Sequence, residues 1–235
     1  MNLEKTYDSP YDDDDVGLKK FMTGVYSWMA IGVLITAVVA LLMVKTGAVN
    51  FLLKSSMFLV VSVIEFILVV FFAVRVWKMS KTTATVVYLG YSALNGITLS
   101  SIFLIYAKSS IASTFFVTTI MFGAFSLYGM FAKGDLTRWS RPLMMGLFGL
   151  IIVSILNIFM KSSGLEWIIS IAGVALFSIL TIYDTFKLKQ QYLTFNSNYD
   201  TAINDNVAIF GALTLYLDFI NLFLYLLRLL GNSRD

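Results

Sequence analysis

Four ionisable side chains lie inside stretches that are otherwise almost entirely apolar. Asp218 sits within "LTLYLDFINLFLYLLRLLG" (213–231), and Asp184 within "LTIYDTFKLKQ" (180–190). Glu65 lies deep in "VSVIEFILVVFFAVRVW" (61–77), followed by Arg75, about 15 Å further along a helix. A charge surrounded by hydrocarbon is expensive, so it must be paired, neutralised or used. Two carboxylates about 3 Å apart in a low-dielectric site cannot both ionise easily and therefore share a proton. Such a pair titrates in two macroscopic steps and senses pH without histidine. If Asp184 and Asp218 meet, they form such a couple. Arg75 would then hold the charge of one carboxylate, and protonation would loosen that pairing and free a helix to move.

Each residue also has a plainer role. Asp218 can be a structural carboxyl hydrogen-bonded to a neighbouring helix, and Asp184 can cap a helix end beside water. Arg75 can anchor a span boundary by snorkelling. Glu65 is deeper, which favours a place on a pathway or gate. Asn95, Asn157 and Asn221 read as interhelical hydrogen-bond glue, and the glycines of "GAFSLYG" (123–129) and "GLFG" (146–149) as points of close helix approach.

Composition sets the elements that must carry these groups. The 235 residues are 58% hydrophobic and 13% charged, against roughly 25% charged in a soluble domain. Repeated apolar runs of about 20 residues are the mark of membrane-spanning helices. The absence of Cys and His excludes disulfides, thiol chemistry and imidazole-based triads or metal sites. The net charge of +3 does not point to nucleic acid, because the basic residues lie between spans.

The predicted fold is an all-α, seven-transmembrane-helix bundle with spans near 22–44, 56–74, 84–106, 111–131, 142–160, 167–186 and 207–230. Pro142 suits the first turn of the fifth helix. Trp28, Trp77, Trp139 and Trp167 fall near predicted boundaries, as an aromatic belt requires. Short linkers make residues 21–235 one domain. Residues 1–20, with "YDSPYDDDDVGLKK", read as a disordered acidic cytoplasmic tail rather than a cleaved signal. The excess of Lys and Arg on inner segments, among them Lys19, Lys20, Lys78, Arg138 and Lys187, predicts a cytoplasmic amino terminus. In that frame Asp218 is roughly 16 Å into the last span, whereas Asp184 is near the inner boundary. Their meeting requires the last helix to begin below the membrane, near Asn204 to Asn206, or to tilt.

"LYLDFINLFLYLLRLLG" resembles the carboxyl-terminal signature of the Bax inhibitor-1-like family, the transmembrane Bax inhibitor motif proteins. "IYDTFKLKQ" resembles the family's other aspartate segment, and seven-span hydropathy extends the likeness over nearly the whole chain after the acidic tail. The resemblance implies a calcium-permeable leak channel controlled by pH through a buried aspartate pair, with Asp184 and Asp218 at the matching positions. Glu65 and Arg75 correspond to the acidic and basic residues of the second span. The long chain between the aspartates and the acidic amino-terminal run depart from the pattern, which concerns loops rather than the site. On this basis Asp184, Asp218 and Arg75 are the expected pH sensor and gate. Glu65, Asp184 and Asp218 are the expected ion pathway, and with backbone carbonyls and water they would offer calcium a transient oxygen site.

Other classes are weighed on the same residues. An intramembrane aspartyl protease would share "YD" at Tyr183–Asp184, but Asp218 follows "LYL" where that family has a glycine-flanked aspartate. A retinal pump needs a lysine in the last span, and 207–230 has none. A proton-coupled cation transporter and a non-conducting scaffold regulating stress or cell-death pathways stay open. No catalysis and no cofactor are expected. The expected partners are the lipid bilayer, calcium ions and protons, with a monomer favoured. The expected location is a bacterial inner membrane, or the endoplasmic reticulum membrane for a eukaryotic source.

Overall fold

The computed structural model describes residues 10–54, 57–196 and 201–232, with side chains placed for 16–54, 57–194 and 206–232. Among the described residues the regular elements are helical. In order they are α1 (Pro10–Lys45), α2 (Ala48–Lys54), α3 (Met57–Arg75), a 3-10 turn (Val76–Lys78), α4 (Lys81–Leu99) and α5 (Ile102–Ile105). These are followed by α6 (Lys108–Phe131), a second 3-10 turn (Thr137–Trp139), α7 (Ser140–Met160), α8 (Ser163–Asn196) and α9 (Thr201–Leu230). Seven stretches are long and apolar enough to cross a bilayer. The protein is an all-α, multi-pass membrane bundle.

Helix ends follow from local chemistry. The Ser80 hydroxyl accepts the Thr83 N–H at 3.2 Å and opens α4, satisfying one of the orphan donors of a first turn. Lys161 adopts a left-handed conformation and its N–H closes α7 on the Asn157 carbonyl at 2.7 Å. Asp135 takes the Thr137 hydroxyl and N–H at 2.6 and 2.8 Å. Those two bonds hold its carboxyl below the usual carboxylate range.

Three helix limits differ from the sequence reading. The first helix starts at Pro10, so the acidic stretch is helical from there, where a disordered tail to residue 20 was expected; residues 1–9 lie outside the described residues. A proline is well tolerated in a first turn, where its missing N–H breaks no bond. Second, α8 runs on to Asn196 and α9 begins at Thr201, so both helices continue past the apolar windows that hydropathy marks. Third, the third span breaks after Leu99. The hydroxyls of Ser100 and Ser101 donate to the Ile97 and Thr98 carbonyls at 2.6 and 2.8 Å, competing with the helical ladder.

The last helix is the hub: α9 packs on α1, α4, α6 and α8, while α3 lies outside α4 and α7 outside α8. Buried residues make up 67% of the most apolar window of the last span, against 11% for the second and fifth. Between lipid-soluble helices, close approach and hydrogen bonds carry association. A Cβ on Gly129 would run into the Ile182 carbonyl and sit 3.0 Å from Thr185, so α6 lies directly on α8. One on Gly96 would lie 2.6 Å from the Thr36 carbonyl, which marks the α1–α4 crossing. Gly146 faces Leu176, whereas Gly123 and Gly149 have open space beside them, so the expected packing role fails at those two. At the end remote from the amino terminus, Ala107 N–H donates to the Asn232 carbonyl and Asn232 N–H to the Ser110 hydroxyl, both at 3.1 Å. These bonds tie the end of α9 to the start of α6.

Candidate functional site: a carboxyl pair between α8 and α9

Asp184 on α8 and Asp218 on α9 lie side by side, their side chains within hydrogen-bonding reach. The helix extensions explain how. Asp184 lies about 15 Å along the helix from Thr194, and Asp218 about 18 Å from Asn206. The two carboxyls are thereby at nearly the same depth. Asp218 is buried, only 4% exposed, and its Oδ2 has no hydrogen-bond donor among the described residues. Asp184 is partly buried, with Lys187 three residues further along α8. The ring of Phe219 stacks edge-on against Phe115 and Phe122 of α6, at 5.4 and 5.5 Å between centroids, and walls one side of this turn with aromatic surface.

Arg75 does not join the pair. Its side chain is exposed at the end of α3, and among the described residues it makes no ion pair. The pairing expected of it is absent in this conformation, because α3 packs outside α4 rather than on the α8–α9 seam. The turn after it does reach α9. Asn206 donates to the Met79 carbonyl at 2.8 Å, and the Trp77 ring lies 5.5 Å from that of Phe210.

Glu65 belongs to a different place. It is buried at 8% exposure, and its Oε1 accepts from Asn95 Nδ2 while its Oε2 accepts from the Thr98 hydroxyl at 3.0 Å. Both donors are on α4, so Glu65 stitches α3 to α4. Among the described residues no three acids come together as a metal cluster. The joint calcium site expected of Glu65, Asp184 and Asp218 is therefore not formed here, since two different helix seams hold its members. Asn95 is interhelical as expected. Asn157 instead accepts the Ser162 N–H at the end of its own helix, and Asn221 donates back to Leu217 within α9.

A polar junction that the sequence reading missed lies between α1, α4 and α9. The Thr36 hydroxyl meets the Tyr216 hydroxyl at 2.7 Å and the Ser92 carbonyl at 2.8 Å. Tyr88 donates to the Trp28 carbonyl at 3.0 Å, and the rings of Tyr88 and Tyr91 stand edge-on to Tyr216. Both Tyr88 and Tyr216 are fully buried. The signal available was the pair Tyr88 and Tyr91, spaced three apart and so on one helix face. Trp28, expected at a boundary, is half-buried against this core.

A membrane bundle with paired acids in its core seam defines a class of seven-span membrane protein. The chain matches the model of the family described as "Inhibitor of apoptosis-promoting Bax1" over residues 18–235, and it belongs to this Bax inhibitor-1-like family. It is 44% identical to the inner membrane protein YbhL of Escherichia coli K12 over 220 residues, covering 93% of this chain and 94% of that one. It is 39% identical to the protein RP147 of Rickettsia prowazekii, covering 94% and 93%. An uncharacterised membrane protein of Streptococcus pyogenes serotype M1 is 33% identical, covering 95% and 97%.

Proposed function

We propose that this protein is a passive calcium leak of a bacterial inner membrane, in which a proton shared by Asp184 and Asp218 decides whether α8 and α9 seal. The amino terminus faces the cytoplasm in this reading. The observation that carries it is the placement of the two carboxyls side by side, one of them buried with an oxygen that no other residue supplies with a donor. A proton between them supplies that donor. Removing it leaves two like charges in contact inside a poorly polarisable seam, which costs packing energy along α8 and α9. An ion in the opened seam would be bound weakly enough to leave. Glu65 would be a separate acid on its route rather than a co-ligand.

The test is calcium flux into liposomes for the parent, Asp184→Asn and Asp218→Asn at several pH values. Each variant replaces the titrating pair with one carboxyl and one amide, so flux should lose its pH dependence. Parent-like flux and pH response in both would end the proposal. A proton-coupled transporter would instead carry calcium uphill when a proton gradient is imposed. A non-conducting scaffold would pass no calcium at any pH.

A further inference from the structure

Between α1 and α6 the bundle opens sideways into a cleft of about 1240 Å³, with Phe219 of α9 on its floor. Its rim carries Leu34, Leu127 and Phe131, all more than 60% exposed, as surface meant for lipid would be. Gly123 lines the cleft, and a Cβ built there would meet nothing within 4 Å. At the end nearest the amino terminus stand two cations, Lys19 of α1 and Lys189 of α8. None of the described residues lining the cleft is acidic. Lys189 donates one hydrogen bond to the Met130 carbonyl at 3.0 Å, and an ammonium has two more to give.

Ser126 adds an independent sign of a ligand. It lines the cleft, is 5% exposed, and its hydroxyl has no hydrogen-bond partner among the described residues. On the same helix Thr118 and Thr119 donate to the carbonyls four residues back, at 2.7 and 2.8 Å; Ser126 does not. Four residues separate it from Met130, about 6 Å along the helix. The headgroup layer of one leaflet is about 5–7 Å thick. A phosphate held at the level of Lys189 would therefore bring its glycerol ester carbonyls to the level of Ser126.

We propose that this cleft is a binding site for one anionic phospholipid, with an acyl chain along α1 and α6, an ester carbonyl accepting from Ser126, and the phosphate between Lys19 and Lys189. The charges select this occupant. An apolar helix in the cleft would leave the two ammonium groups without a counter-charge among the described lining residues, and a second copy docked through this same face would bring the same cations against them. The site shares the Phe219 wall with the turn of the carboxyl pair but uses neither aspartate, and it stands whether or not the seam conducts.

The test reconstitutes the full chain in an equal mixture of phosphatidylglycerol and phosphatidylcholine, extracts it gently, and identifies retained lipid by native mass spectrometry. The parent should retain phosphatidylglycerol in preference by roughly 25-fold, one factor of about five from each lysine. Each lysine near an anionic headgroup contributes about fivefold, so Lys19→Gln with Lys189→Gln should abolish the preference. Gly123→Leu, which fills the cleft without touching the lysines, should release both lipids. Lys19→Gln alone, at an exposed side chain, should lower the preference about fivefold and keeps the test decisive if the double variant does not fold. Equal retention of the two lipids by the parent, an unchanged preference in the lysine variants, or a retained peptide or second copy in place of lipid would overturn the site.

Discussion

Two seams of this molecule bury acids, and they solve the cost in opposite ways. Between α3 and α4, Glu65 faces an amide and a hydroxyl, Asn95 and Thr98, which donate to its two oxygens. Between α8 and α9, Asp218 faces another acid, Asp184, and its Oδ2 has no donor from a third residue. A carboxyl whose two oxygens both face neutral donors needs no second acid to satisfy it. A carboxyl facing a carboxyl needs a proton to be satisfied. The first arrangement is a rivet, and the second is the one on which the proposed pH response rests. Where they sit sharpens the contrast. Glu65 fastens the outlying α3, whereas the pair lies on the hub helix, against which four others pack.

The comparison can be broken by making the two seams alike. Asp218→Asn gives α8–α9 the amide–carboxylate arrangement that Glu65 already has, and the expected result is the largest of all: calcium flux independent of pH. Next in size is Glu65→Ala, which strands the Asn95 amide in the bilayer interior, while the Thr98 hydroxyl keeps the Asn95 carbonyl at 3.0 Å. An unsatisfied buried polar group costs about 1–3 kcal/mol, so the thermal midpoint in detergent should fall clearly. The pH profile of flux should stay parental, and a changed profile would show that Glu65 takes part in sensing. Smaller again is Thr36→Val, which removes the bonds to Tyr216 and Ser92. Interhelical hydrogen bonds in membranes are worth about 0.6 kcal/mol on average, so a slight drop in midpoint is expected with no pH component. The smallest effect belongs to Arg75→Gln. An exposed side chain without an ion pair should change neither midpoint nor pH response; an altered response would mean that Arg75 reaches the carboxyl pair in another conformation.

Much of the architecture was legible because the bilayer imposes a simple rule. A helix must present about 20 apolar residues, and each of the seven runs does so. The acids were legible for the same reason, as exceptions to that rule. What escaped was contact across seams. Hydropathy ends the sixth span near residue 186, but the helix continues to Asn196, since a helix does not stop where its residues turn polar. That extension, with the early start of α9, removes the apparent difference in depth between Asp184 and Asp218. Gly123 and Gly129 look equivalent as letters six apart, yet only Gly129 meets another helix. Six residues turn a helix by about 600°, so the two point to different sides.

The sequence by itself determined that the chain crosses a membrane seven times and that Glu65, Asp184 and Asp218 lie among apolar neighbours, because composition and period act locally along a helix. Only the tertiary structure decided which acid meets which partner. The rotation of each helix about its axis and its offset along the bilayer normal arise from packing against four or five neighbours at once. Those two freedoms put Asn95 and Thr98 beside Glu65, Asp184 beside Asp218, and Arg75 beside none of them.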